Sequence, residues 1–234
     1  MNNLKENLEK IGTRVRLACR EAGRAPGEVD ILAVSKRHPV DKITALHALG
    51  QSDFGENYVQ EALVKMEQLA ELDIEWHFIG PLQSNKTRDV AEHFSWAQSV
   101  DREKIANRLS RQRPTQSPPL NVCVQVNIDE EPQKGGVSPR QAPALARLCA
   151  KLPGLRLRGL MCIPRAASDR HDPADSYQRM RALFDSMRND GLAMDTLSMG
   201  MSADLEAAVR HGSTMIRIGT DLLGPRPAQE ASPC

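Results

Sequence analysis

The chain has 234 residues, with 31 Lys and Arg against 30 Asp and Glu and a net charge of +1. That length suits one large domain or two small ones and can bury a substantial core without covalent staples. The interspersed charges argue against a nucleic-acid footprint, and no apolar run approaches the ~18 residues of a membrane span. The opening MNNLKENLEK is charged and helix-like, unlike a signal peptide. Five scattered cysteines (Cys19, Cys123, Cys149, Cys162 and Cys234) without a CxxC pair read as reduced thiols of a cytoplasmic protein. With only eight Phe, Tyr and Trp residues, the core must be aliphatic.

In chain order, Leu4, Leu8, Ile11, Val15 and Ala18 recur at helical spacing, with Gly23 as a stop. A first strand is expected at 31–35, a helix from Pro39 and Asp41 to Gly50, and a second strand at 53–55. A helix at 57–71 carries Val59, Ala62, Leu63, Met66 and Ala70 on one face; a third strand follows at 76–79 and a short helix at 84–93. The fourth strand is expected at 96–100, a helix at 101–112 and, beyond a loop at 114–119, the alternating fifth strand NVCVQVNI at 121–128. Ser138 and Pro139 read as N-cap and first residue of the next helix, although Pro143 makes that helix begin late or kink. The sixth strand is expected at 157–163, a helix at 173–189 and the seventh strand at 196–199. A helix at 202–211 and an eighth strand at 215–218 close the series.

Strands alternating with helices predict a parallel sheet. Eight such units, with one extra helix at the start, fit an α/β fold of the single (β/α)8 TIM-barrel type. A doubly wound open sheet is the alternative, but its GxGxxG fingerprint is missing where the first strand runs into Ser35-Lys36-Arg37, and no Walker A motif is present. The barrel is expected over 1–226, with 227–234 a flexible C-terminal tail.

In such a barrel the chemistry lies at the C-terminal strand ends. Lys36 leaves the first strand there, where partial desolvation lowers an ammonium pKa and frees the amine for Schiff-base formation; the plain alternative is a solvated terminal lysine. The loops after strands seven and eight commonly bind phosphate, and here they hold Gly200 and Ser202, then Gly219 and Thr220. Ser202 could equally be an N-cap and the glycines turn residues. A lysine amine, a phosphate cradle and Arg217 together outline a pyridoxal phosphate site. His77 reads as a structural histidine, and Asp129-Glu130-Glu131 as a solvated acidic turn. Lys86 and Lys134 lie near strand ends and are candidates for transient aldehyde uptake. No metal-ligand spacing occurs.

Six segments carry a resemblance: VSK at 34–36, FGENYVQE at 54–61, WHFIGPLQSNK at 76–86, RGLMCI at 158–163, LSMGMSADLEAAV at 197–209 and RIGTDLLG at 217–224. They resemble the pyridoxal phosphate homeostasis protein family, the YggS/PROSC-type, alanine-racemase-like family, over about residues 4–226. The resemblance implies a TIM barrel of the alanine racemase N-terminal type with pyridoxal 5'-phosphate as an internal aldimine (Schiff base) on Lys36. It further implies Arg217 facing the pyridine nitrogen, Ser202, Gly219 and Thr220 on the phosphate, and Asn57 as a further pocket residue. Cys162 and Pro143 look idiosyncratic and are expected not to touch the site.

A charged guanidinium opposite the ring nitrogen disfavours its protonation and weakens the ring as an electron sink. Alanine racemases add a tyrosine base from a C-terminal β domain, for which the ten or so residues after Gly224 leave no room. Tyr58 begins a helix and Tyr177 belongs to the outer layer, so neither resembles that base. The expectation is a monomeric carrier that buffers the cofactor, maintains vitamin B6 and amino-acid homeostasis, and supplies apo forms of dependent enzymes without robust catalysis. A slow amino-acid racemase is the alternative.

Overall fold

Helix α1 (Asn2–Glu21) buries Ile11, Val15, Ala18 and Cys19, the spacing that puts four side chains on one stripe. This stripe packs α1 on the outside of a barrel, against helices that come last in the chain. The computed structural model describes residues 2–166 and 172–226; the expected tail at 227–234 lies outside the described residues.

After α1 the chain alternates β1 (Asp30–Val34), α2 (Val40–His47), β2 (Asp53–Glu56), α3 (Val59–Gln68) and β3 (Glu75–Phe78). A 3-10 turn at Ser84–Lys86 leads into α4 (Thr87–His93), then β4 (Trp96–Val100), α5 (Glu103–Gln112) and β5 (Leu120–Val126). The series ends with α6 (Ala142–Lys151), β6 (Leu155–Cys162), α7 (Pro173–Asn189), β7 (Thr196–Ser198), α8 (Leu205–Arg210), β8 (Met215–Ile218) and α9 (Thr220–Leu223). All eight strands pair in parallel and in sequence order, and β1 closes on β8 with Leu32 beside Arg217 and Ala33 beside Ile218. The fold is therefore the expected TIM barrel, not the open sheet.

The aliphatic core fills the layer between sheet and helices, with Phe54 against Trp76 and Phe78 edge-on to Phe94 at 5.5 Å between centroids. Parallel strands covered by helices on the outside and closed inside need apolar residues on both faces. The dense run of β1 meets that need, while β8 departs from it at Arg217, which is buried inside the barrel.

Several local expectations change. Helix α6 begins late, at Ala142: Gln141 takes the N-cap position and Pro143 falls in the first turn, where a missing N–H costs nothing. Ser138 is not the cap; its N–H and hydroxyl both donate to Gln141 Oε1. Helix α8 starts at Leu205, so Ser202 lies in the preceding turn and Asp204 occupies the N-cap position, its carboxylate accepting from Met201 N–H at 2.6 Å. The acidic segment is only partly solvated, with Glu130 exposed, Asp129 half-buried and Glu131 buried. Asp129 accepts from Ser176 Oγ, Arg165 N–H and Arg179, and these hold its carboxyl below the usual range although burial opposes them. Tyr177 sits in the helical layer as expected but faces inward and is wholly buried.

Gly200 turns the chain out of β7 at φ +96°, and a Cβ there would lie 2.4 Å from Ala208 Cβ. Gly200→Ala combines left-handed backbone strain with a clash, at about 1–3 kcal/mol. The melting temperature of the purified variant should fall by about 2–4 °C for each of those kcal/mol; an unchanged value would show that the turn relaxes freely.

Candidate functional site

β1 ends at Val34, one residue earlier than expected, so Lys36 lies just past Ser35 beyond the strand and is half-buried at the C-terminal end of the barrel. Among the described residues its ammonium has no hydrogen bond or ion pair. Burial, then the charges of Arg226 and Arg37, pull its pKa below the ordinary lysine value against a smaller opposing pull from Glu56 and Glu61. Its backbone is pinned on both sides. Lys65 Nζ donates to Ser35 O at 2.8 Å, and Ser35 Oγ donates to Glu56 Oε1 at 2.7 Å. Arg37 N–H donates to Glu61 Oε1, which helps hold Arg37 at φ +62°. Lys65 Nζ bridges Glu56 and Glu61 at 2.7 Å each. Both Lys65 and Glu56 are buried, so removing one would strand the other's charge. Residues of β2 and α3 thus fix the segment that presents the amine. Sequence reading missed this cluster, though FGENYVQE contains two of its carboxylates.

Arg217 lies on β8 and is almost wholly buried inside the barrel. Its guanidinium donates to Ser198 Oγ at 2.9 Å and to the carbonyl of Cys162 at 2.8 Å, so Cys162 does touch the site, contrary to expectation. No carboxylate pairs with it among the described residues. Burial pulls its pKa down from the ordinary value, yet a guanidinium keeps its charge in proteins. Ser198 Oγ in turn donates to Gln98 Oε1 at 2.7 Å, a bond that spans the lumen from β7 to β4. Gln98 Nε2 donates to His77 Nδ1 at 2.9 Å, and His77 Nε2 to Asp53 Oδ1 at 3.0 Å. Every donor in this chain points away from Arg217, and each bond polarises the next. Burial lowers the pKa of His77, in keeping with the neutral tautomer that the chain requires, and the ring stacks on Trp96 at 4.9 Å. The structural role expected for His77 is what the geometry shows.

Ser202 is partly buried in the β7–α8 turn, and Gly219 and Thr220 lie where β8 becomes α9. Because β8 neighbours both β7 and β1, these two loops and Lys36 emerge from three adjacent strands. Gly219 packs beside Val34, two residues before Lys36, where a Cβ would meet Val34 Cβ and O at 3.7 Å.

Asn57 follows β2 on the far side of Lys36 and lines a cleft of about 480 Å³ at the mouth with Gln125, Lys134 and Ile163. Its Oδ1 is buried and has no hydrogen-bond partner among the described residues. Lys134 reaches the same cleft, but its ammonium bonds Glu131 at 2.6 Å and the carbonyl of Pro164 at 2.7 Å. Lys86 lines an adjoining groove beside Tyr58 that shares Asn57 and Pro81 with this cleft. Lys36, Arg217, Ser202, Gly219 and Thr220 fall at the ends of β1, β7 and β8; Asn57 lies at the end of neighbouring β2, and Lys134 in the segment after β5.

An unpaired amine, a buried cation without a carboxylate and an orphaned amide oxygen suit a small anionic aldehyde with a heteroaromatic ring. No group of three or more His, Cys, Asp or Glu side chains suited to a metal occurs among the described residues, and no described helix is long and apolar enough to cross a membrane.

The family description "Alanine racemase, N-terminal domain" matches residues 4–227. The chain is 53% identical over 226 residues to the pyridoxal phosphate homeostasis protein of Pseudomonas aeruginosa, covering 97% of each chain. Against the protein of that name from Escherichia coli K12 it is 46% identical, covering 97% of this chain and 98% of the other. PipY of Synechococcus elongatus, solved with pyridoxal phosphate bound, superposes with a TM-score of 0.82 at 35% identity, over 94% of this chain and all of that one. An alanine racemase of Clostridium difficile superposes with a TM-score of 0.73 at 16% identity, this chain covering 58% of it, a likeness of fold alone.

Proposed function

From the premise that the chain belongs to the alanine racemase N-terminal domain family, we propose that it binds pyridoxal 5'-phosphate and acts in the cell's homeostasis of that cofactor. Relatives that share 46–53% of its residues over nearly their whole length carry that role in their names. The single observation that carries the reading is the half-buried Lys36 amine, unpaired at the mouth of a barrel whose 35%-identical relative holds pyridoxal phosphate.

The residues divide the cofactor among them. Lys36 would hold its aldehyde, Arg217 would face the pyridine nitrogen, and Ser202, Gly219 and Thr220 would hold the phosphate. Asn57 would offer its unpartnered oxygen from the end of β2, the strand next to β1. When bound, the cofactor supplies an electron sink for reactions at an amino-acid carbon. Arg217 limits that use: its guanidinium cannot accept a proton and repels one on the ring nitrogen. The chain therefore stores the cofactor and passes it to apo forms of dependent enzymes, as a cytoplasmic monomer, without robust catalysis. Tyr177 offers no base for it: it is buried, with its phenol pKa pushed up by desolvation.

Titrating apo protein with pyridoxal phosphate by absorbance should show saturable binding, one cofactor per chain; no saturation would sink the reading. Ser202→Ala removes one hydroxyl from a charged ligand, worth ~1.5–3 kcal/mol at most. Gly219→Val should weaken binding more, because it blocks the close backbone approach. A Cβ at Gly219 meets only ordinary contacts, so the protein itself has room for the change. The opposite ranking would show that the phosphate lies elsewhere.

A further inference from the structure

The two loops assigned to the phosphate are held from outside the barrel. The Arg14 guanidinium of α1 grips Glu206 of α8 with two bonds, Nε to Oε1 at 2.7 Å and Nη2 to Oε2 at 2.9 Å. Nη2 also donates to the backbone carbonyl of Ser202 at 2.9 Å. Nη1 faces Asp221 of α9 at 3.6 Å. One side chain thus joins the β7–α8 turn, which carries Ser202, to the start of α9, which carries Gly219 and Thr220. Asn7, two turns earlier on α1, adds a bond from Nδ2 to Leu222 O at 3.1 Å. Among the described residues, no hydrogen bond runs directly between 201–204 and 219–223. Just below them Arg217 N–H donates to Gly200 O at 3.1 Å; past that bond, α1 is the element that ties the two loops together.

We infer that Arg14 is a positioning residue for the phosphate: by clamping the Ser202 turn to α9 it fixes the separation of the two halves of the cradle. The inference rests on the phosphate assignment proposed above. The planar fork suits this work, because a guanidinium directs several donors along fixed lines to a carboxylate, a carbonyl and a second carboxylate. A lysine at 14 offers no such fork. The bonded carbonyl belongs to Ser202 itself, so a shift of Arg14 is passed straight to the residue that would meet the phosphate. The role also explains why a helix outside the eight βα units is tied so closely to the last two loops.

The test compares pyridoxal phosphate with pyridoxal, which has the same aldehyde and ring but no phosphate. A brace that merely supported the fold would affect both alike. Binding and borohydride-fixed labelling of Lys36 are measured for each ligand in wild type, Arg14→Met, Glu206→Gln and Ser202→Ala, with melting temperatures alongside. Arg14→Met should weaken pyridoxal phosphate binding roughly tenfold or more, the effect of losing one good charge-assisted contact. Pyridoxal capture should stay near the wild-type level, so the preference for the phosphorylated ligand narrows. Glu206→Gln should narrow it in the same direction by less, and it decides the matter if Arg14→Met does not fold. Parallel loss of both ligands would overturn the inference. So would an unchanged preference in Arg14→Met and Glu206→Gln while Ser202→Ala narrows it, and in that case the phosphate assignment stands. A wild-type protein without preference for the phosphorylated ligand would overturn the assignment and the inference together.

Discussion

Lys36→Ala should abolish borohydride-fixed labelling by pyridoxal phosphate and leave only weak, reversible binding through the phosphate loops. Peptide mapping of the labelled wild type should place the modification on the segment that contains Lys36. The expectation rests on the contrast among three lysines at this end of the barrel. Lys134 is engaged by Glu131 and the Pro164 carbonyl, and Lys86 lines a groove away from the phosphate loops. Among the described residues Lys36 has no partner, and burial with Arg226 and Arg37 lowers its pKa. The sign of the pH dependence follows. Only the neutral amine attacks an aldehyde, so the capture rate should rise with pH and reach its midpoint below the ~10.4 of an ordinary lysine. Arg226→Ala removes a repelling charge, raises the Lys36 pKa and should move that midpoint upward. Stopped-flow capture rates across pH would show both effects. Label chiefly on Lys86 or Lys134, or a midpoint unmoved by Arg226→Ala, would contradict this account.

The barrel was legible because its strands are short apolar runs set between helices whose apolar residues keep a helical period, and both signals are local. Lys36 was legible for the same reason, as a charge placed directly after an apolar strand. Arg217 is a charge inside such a run, which marks it as buried and in need of partners, but nothing local says which. Those partners, Ser198 and the Cys162 carbonyl, lie 19 and 55 residues away. Arg14 reaches Glu206 across 192 positions. Such pairs form when the barrel closes, and a single sequence holds no trace of them. The pinning of Lys36 is intermediate: Glu56, Glu61 and Lys65 sit within ten residues, and a Glu–Lys pair four apart on a helix is a readable signal. Where local rules misled, tertiary contacts decided. Asp129 looks like part of a solvated turn until Ser176 and Arg179 of α7 cover it. Ser138 looks like a cap until Pro143 is accommodated in the first turn of a later helix.

The purified protein should release pyridoxal phosphate to an apo-enzyme far more readily than it racemises alanine or any other amino acid. Efficient exchange of a Cα proton needs a strong electron sink and a base on each face of the substrate. Arg217, facing the ring nitrogen as proposed, would weaken the sink, and Ser198 and the Cys162 carbonyl hold its guanidinium while the bond chain through Gln98 and His77 to Asp53 holds Ser198. One base is available in Lys36 once its amine is freed. For the other face, Tyr58 is exposed and lies under the Arg37 guanidinium at 5.6 Å from the ring centroid, outside the barrel. Tyr177 is enclosed in the helix–sheet core, where desolvation keeps its phenol protonated. With Lys36 as the one base within reach and Arg217 opposing protonation of the ring, these residues would support return of a proton to one face only. Chiral chromatography after long incubation with a panel of amino acids should show no inversion beyond a slow background, while reactivation of an added apo-enzyme follows the loss of cofactor from this chain. Turnover at about 1 per second or faster, a rate ordinary for enzymes, that disappears in Lys36→Ala would establish the racemase instead, and would require a second base among residues that this geometry leaves unassigned.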